Sequence, residues 1–322
     1  MPDHPKVGGA PGLDSETWES TPRDALAPGL YVVATPIGNL GDITLRALDV
    51  LREVDRIACE DTRQTQKLLN HFQIEKKTVS YHEHNEHTRA TELVQDIKAG
   101  KAIALVTDAG TPAVSDPGGW LVREAIAAGV AVIPIPGANA ALTALIASGL
   151  VSAEFQFFGF LPEKTGARRT FFEKLAATPR DSAQTLIFYE APHRILETLS
   201  DLETIWSSQL HAVLARELTK IHEEFVRGTV TEVRQALAAR DRIRGEITLL
   251  IEAPAVSGSL AGTTAAPSAS VKIADRIAKL QAEAGPESKI DEKEALKRLA
   301  RELGRAKSDL YRELQRERAA KR

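Results

Sequence analysis

The densest concentration of chemistry-bearing residues lies at 108–119, DAGTPAVSDPGG, directly after the unbroken apolar run Ala102 to Val106. The run reads as a strand buried on both faces, and open α/β sheets take their ligands in loops at the carboxyl ends of such strands. Asp108 stands at the strand's last position, aimed into the crevice. Gly110 lets the backbone turn freely, while Pro112 and Pro117 stiffen the path on either side. These are residue types for holding a small molecule. Two further loops have the same texture: 35–42 (TPIGNLGD), with Pro36 and Gly38, and 134–139 (PIPGAN), with Ala138. In a parallel sheet all three emerge on one edge and meet over a shared crevice. The first loop is not G-x-G-x-x-G, and no Gly-Lys-Ser/Thr follows it, so neither a dinucleotide fingerprint nor a P-loop is supported. One cysteine and scattered histidines make a structural metal site improbable, and no metal is expected.

The elements that must position these loops alternate regularly. Strands are predicted at 30–34, 55–59, 77–81, 102–107 and 130–135, with helical stretches at 43–53, 62–72, 87–99, 119–128 and 138–148. The first helix places Leu45, Leu48 and Leu51 on one face, with Asp42 or Thr44 available as its cap. Such alternation implies a mostly parallel sheet flanked by helices. After residue 150 the texture changes. Apolar runs at 155–160, 185–190, 211–216 and 246–252, with a half-exposed alternating stretch at 222–229, predict a second α/β domain with a mixed sheet. The expected division is therefore a leader at 1–29, an N-terminal αβα domain at 30–150, a C-terminal α/β domain at 151–252, a linker at 253–270 and a basic helical module at 271–322. The leader is rich in Pro, Gly and acids and lacks an apolar core, so it reads as disordered and not as a signal peptide. In the last segment Leu299, Gly304 and Leu314 mark a helix, a turn and a second helix, the outline of a helix-turn-helix or of an amphipathic hairpin. No run of about eighteen apolar residues exists, so no membrane span is expected. The single Cys59 fits a reducing cytoplasm and a role in packing. From residue 271 onward fifteen Lys/Arg face ten Asp/Glu, a net of +5, so the remainder carries −8. Polyanion contacts are expected to concentrate in that basic tail.

The motifs TPIGNLGDIT, EDTR at 60–63, TDAGTP at 107–112, SDPG at 115–118 and PIPGANAA at 134–141 resemble the tetrapyrrole-methylase superfamily of S-adenosylmethionine-dependent methyltransferases. HEHNE at 82–86, GFLP at 159–162, FYEAPHR at 188–194 and ARELTK at 215–220 match one branch, the ribosomal RNA small subunit methyltransferase I family. The resemblance covers about residues 30–252. It implies two αβα domains of the class III methyltransferase kind, with the cofactor in the cleft between them, plus a small C-terminal helix-turn-helix-like module. It also implies a homodimer. S-adenosylmethionine is the implied cofactor, with Asp108, Ala109 and Gly110 at its amino-acid end, beside Pro36, Gly38 and Pro112, and with Val114 and Ala138 lining the pocket. Tyr189, Ala215 and Glu246 would border the adenosine. The physical reading agrees, because a zwitterion needs close backbone groups and adenine a flat apolar slot.

The implied reaction is 2′-O-methylation of a cytidine in the decoding-centre helix of 16S rRNA, in the 30S subunit. Alignment supplies most of the rate for such a displacement, about 7–11 kcal/mol, and a general base adds about 10²–10⁴-fold. Candidate proton-transfer residues are His84 in the HEHNE turn, Glu190 at the end of FYE, and Glu217 with Lys220. A buried Glu217 is expected to have a raised pKa, although a salt bridge to Arg216 or Lys220 is equally open. RNA phosphates are expected at Arg63, Arg168, Arg169 and Arg194, with 167–169 read as a flexible loop at the domain interface. Tyr81, Phe160 and Tyr189 are available for base stacking. Two alternatives stay open: methylation of a small tetrapyrrole, and a DNA-binding regulator with a ligand-sensing body.

Overall fold

The computed structural model describes residues 26–256 together with Ala295, Leu296, Leu299 and Leu314. The first five strands, β1 (Gly29–Val33), β2 (Arg56–Cys59), β3 (Thr78–Ser80), β4 (Ala102–Leu105) and β5 (Val132–Ile135), form one sheet in the order β3-β2-β4-β1-β5. Every neighbouring pair is parallel. All four residues of β4 are buried, as its continuous apolar run requires. Side chains alternate between two cores. Tyr31, Val33, Ile57 and Cys59 point to one, which contains the buried face of α1 (Leu45–Glu53) and Leu69 of α2 (Thr62–His71). Leu30, Ala58, Ile103 and Leu105 point to the other, beneath α3 (Glu86–Lys98) and α4 (Gly119–Ala127). Thr44, and not Asp42, caps α1: its hydroxyl accepts from the Ala47 amide at 3.1 Å, whereas Asp42 closes a short 3-10 turn. Pro134 sits in β5, at the sheet edge, where a missing amide is tolerated.

The second sheet is mixed, as the uneven spacing after residue 150 predicts. It contains β6 (Phe155–Phe160), β7 (Gln184–Glu190), β8 (His211–Arg216), β9 (Glu224–Thr229) and β10 (Ile247–Ala253), in the order β6-β7-β10-β8-β9. Only β6 and β7 run parallel. One face of this sheet, with Phe188, Leu214 and Leu249, packs on residues of α6 (Thr165–Ala177), α7 (Ile195–Ile205) and α8 (Val230–Ala238). A capping box of Thr229 and Glu232 starts α8.

The opposite face is covered by a helix from the first half of the chain. α5 (Ala140–Ser148) buries Ala141, Ala144 and Leu145 against Ile187, Val213 and Leu250. Residues 26–256 consequently form one compact unit, and residue 150 is not a packing boundary. The stretch expected to start a linker at 253 is tied down as far as Val256, which exchanges two backbone hydrogen bonds with Arg180.

Three expectations need correction or restriction. Residues 167–169 are not a flexible loop, because they lie in α6. There Arg168 is fully buried, its Nε donating to Asp201 Oδ2 at 2.9 Å. The leader lies outside the described residues up to residue 25. The C-terminal module also lies outside them, apart from Ala295, Leu296, Leu299 and Leu314, which are helical and buried.

Candidate active site

β1 and β4 are neighbours, but the chain leaves β1 toward β2 on one side and leaves β4 toward β5 on the other. That reversal opens a crevice beyond their carboxyl ends. The three loops singled out by sequence are knitted together there. Thr35 N donates to Gly110 O at 2.8 Å and Gly110 N returns to Thr35 O at 3.1 Å. Thr111 Oγ1 donates to Ala138 O at 3.1 Å, and Asn139 Nδ2 to Thr111 Oγ1 at 3.4 Å. Asn139 also caps α5 by accepting from Leu142 N. Gly110 has φ of +87°, and a Cβ there would stand 3.2 Å from Ile37. Ala113 and Ser115 hold left-handed backbone at +67° and +62° without being glycine. Strain of this kind clusters where loops clamp ligands.

Across from these loops stand the ends of β7 and β10, and between them lies a cavity of about 370 Å³. Its size lies within the range of small-molecule sites. One wall is backbone and small side chains, Ala109, Gly110 and Thr111, with Val114. The other is apolar and aromatic, with Phe160, Tyr189, Leu218 and Ile247. Tyr189 meets Phe157 and Phe160 edge to face at 5.0 and 5.5 Å, and Phe160 is 61% exposed.

Three carboxylates collect on the first-sheet side. Glu60 directly follows β2, Asp108 lies three residues beyond β4, the neighbouring strand, and not at the strand's last position as expected, and Asp116 comes from the strained loop. Asp108 Oδ1 accepts from Asp61 N at 3.1 Å, and Glu60 Oε2 from Thr107 Oγ1 at 3.4 Å. Asp116 lines the cavity. Burial, reinforced by repulsion from Glu60 and Asp108, pushes its pKa up to about 6 against a hydrogen bond with Thr107. Burial and Asp108 likewise raise Glu60. Glu60 and Asp116 stand inside the EDTR and SDPG motifs, whose residue types alone assign neither a role. The adjacency of β2 and β4, which brings the first two acids together, is not visible along the chain.

The other candidates fall in different places. Of the residues expected around a cofactor, Ala109, Gly110, Val114, Tyr189 and Glu246 line the cavity. Pro36, Gly38, Asp108, Pro112 and Ala138 belong to the surrounding loops, and Ala215 is packed beneath α5. Glu190 touches the cavity, but its carboxylate is engaged elsewhere. It accepts from Ala191 N at 2.8 Å, Arg194 Nε at 3.0 Å and Thr198 Oγ1 at 2.7 Å. The pairing with Glu190 also holds Arg194, whose side chain is 13% exposed. Glu217 pairs with Lys220 Nζ at 2.8 Å and accepts from Glu246 N at 3.0 Å. The lysine hydrogen bond lowers its pKa, correcting the expectation of a raised one. Gly38 approaches this pair so closely that a Cβ would meet Lys220 Cγ at 2.4 Å. His84 is exposed in the turn after edge strand β3, with its ring 5.8 Å from His82. Arg63 is exposed and chelated by Asp61, and Arg169 is half exposed beside Asp201. Among the described residues no cluster of three or more His, Cys, Asp or Glu could hold a metal ion, and no helix is long and apolar enough to cross a membrane.

Residues 29–234 match the family model of Tetrapyrrole (Corrin/Porphyrin) Methylases. The chain is 56% identical over 223 residues to Ribosomal RNA small subunit methyltransferase I of Halalkalibacterium halodurans, covering 69% of this chain and 75% of that protein. It is 51% identical to the Bacillus subtilis protein of the same name, covering 69% of this chain and 74% of that one. Among solved structures, a diphthine synthase shares the fold with a TM-score of 0.52 at 17% identity, over 70% of this chain and 89% of that one. The methyltransferase CobJ does so with a TM-score of 0.51 at 17% identity, over 74% of this chain and 97% of that one.

Proposed function

The chain belongs to the ribosomal RNA small subunit methyltransferase I family of tetrapyrrole methylases, and from that premise we propose that it 2′-O-methylates a cytidine in the decoding-centre helix of 16S rRNA, with S-adenosylmethionine as methyl donor. The observation that carries the reading is the convergence of three loops on one cleft with a backbone wall, an aromatic wall and an acidic rim. These features fit the donor. Close backbone at Ala109–Thr111 suits its amino-acid end, Tyr189 and Ile247 its adenine, and the Asp116 carboxylate, with Glu60 and Asp108 behind it, its positive charge. When bound, the donor supplies an electrophilic methyl group.

The chain's own residues have to hold the ribose in line and take its proton. Asp116 is the group we assign to the proton. It lines the cavity, its side chain has no ion-pair partner among the described residues, and a carboxylate ionising near 6 is matched to work near neutral pH. Glu217 and Lys220 hold each other and the start of β10, and act as positioning residues. Glu190 anchors the turn into α7. Phe160, exposed at the cavity mouth, supplies a stacking face for an unpaired base. Arg169, half exposed and 3.7 Å from Asp201, remains available to phosphates, whereas Arg63, Arg168 and Arg194 are occupied by Asp61, Asp201 and Glu190. A homodimer is supported by Leu142 and Ile146, which α5 leaves 48% and 82% exposed one turn apart. A reducing cytoplasm is supported by the buried free thiol of Cys59.

The test is methyl transfer from labelled S-adenosylmethionine to 30S subunits lacking the modification, with mapping of the labelled nucleotide. Label on one ribose 2′-oxygen of a decoding-centre cytidine is expected. Cofactor binding with no label in rRNA, and transfer to a tetrapyrrole instead, would overturn the substrate while keeping the fold.

A further inference from the structure

A second groove, of about 570 Å³, runs beside the cleft and shares two wall residues with it, Pro192 and Gly245. Its floor and rim come from the turn carrying His193, from Leu196, and from the irregular segment 240–244 between α8 and β10. That segment reads Arg-Asp-Arg-Ile-Arg, and its charges are not equivalent. Arg240 is neutralised by Glu224, its Nη1 donating to Oε2 at 2.9 Å. Arg242 and Arg244 are exposed, and neither guanidinium has an acidic partner among the described residues. The segment is nevertheless held in place, because Arg216 Nη1 donates to the Arg244 carbonyl at 3.2 Å. His193 faces the same groove, and Asp241 is its one acidic wall residue. Two uncompensated guanidiniums on an anchored segment, next to a site for one nucleotide, match the spacing problem of a polyanion chain. The nucleotide enters the cleft and its neighbours' phosphates must lie just outside.

We propose that this groove is the subsite that holds the phosphodiester backbone flanking the target nucleotide, through Arg242 and Arg244. The proposal rests on the RNA reading of the cleft. Guanidiniums suit it because their forked donors meet phosphate oxygens in pairs.

The test uses the full-length protein carrying Arg242→Gln and Arg244→Gln together, assayed on unmodified 30S subunits across a salt series. The KM for the subunit is expected to rise tenfold or more, with kcat at saturation and affinity for S-adenosylhomocysteine unchanged. Loss of two phosphate contacts should flatten the dependence of log(kcat/KM) on log[salt] by about 1.4. Lys98→Gln, at the far end of α3 and on the opposite edge of the sheet from the loops, serves as the control and should change none of these. An unchanged KM and salt slope in an active, folded variant would overturn the inference alone. A raised KM with an unchanged slope, seen on 30S subunits but not on naked 16S rRNA, would assign the groove to a ribosomal protein and overturn it too. Failure of the wild-type protein to label rRNA would overturn the substrate reading, and this inference with it.

Discussion

At the scale of single residues, Asp116 is the group whose protonation state governs the proposed chemistry. The groups that face it are Glu60 and Asp108 from the first sheet, Thr107 beside it, and Tyr189, whose own pKa burial and Asp116 raise. Glu60 is in turn acted on by Glu83 and His82. Only the ionised form of Asp116 can accept a proton, so kcat/KM should fall with unit slope as pH drops below about 6. Asp116→Asn should remove that inflection and lower kcat by about 10²–10⁴-fold, with S-adenosylhomocysteine binding retained. A pH-rate profile with the inflection intact in the variant would dismiss the role. The same shift has a stability sign. A carboxyl whose native pKa is raised to about 6 binds its proton longer in the folded state. Its contribution is complete below the ordinary carboxylate pKa and is lost as pH rises through about 6. The asparagine variant should therefore gain thermal stability over the wild type at pH 8 and not at pH 4. What makes Asp116 matter is its distance from Glu60, 56 positions back in the chain, and single-sequence reading has no access to that distance.

At the scale of elements, the strands were legible because their apolar runs are short, bounded and of the right period. β4 lies within the predicted 102–107, and β1 and β7 begin one residue before the predicted 30–34 and 185–190. α6 was not, because 164–169 joins a glycine to three cations, the composition of a solvated turn. The helix forms because Phe171 and Phe172 reach the aromatic cluster around Phe188, and Arg168 is carried inside with them. Its guanidinium is balanced by Asp201 from α7. Removing one partner leaves a buried charge without its counter-ion. Asp201→Ala should cost about 3–5 kcal/mol, whereas Arg168→Met with Asp201→Leu should come close to neutral. Urea unfolding of the three proteins measures both. Equal losses in the single and double variants would mean that the pair does not act as a unit. The glutamates that the sequence offered as bases were ambiguous for a related reason. A carboxylate at a strand end serves equally well as catalyst or anchor, and only partner geometry separates Glu190 and Glu217 from Asp116.

At the scale of the whole molecule, two five-stranded sheets share one packing arrangement up to Val256. They should unfold together. Trp120 packs on the core beneath α4, and Trp206 on the core beneath α7. With Trp18 replaced by Phe, single-tryptophan variants retaining Trp120 or Trp206 should report coincident denaturation midpoints. Separated midpoints would show that the layers melt independently. The cooperativity comes from α5, which follows a first-sheet loop and forms the floor of the second sheet. That double allegiance also bears on how such chains can be inherited. A crossover between two homologous genes placed at residue 150, where the text of the sequence changes, would take α5 from one parent and the strands it fits from the other. The exchange that preserves the fit lies upstream of the helix, so recombination should respect the packing and not the apparent seam in the sequence.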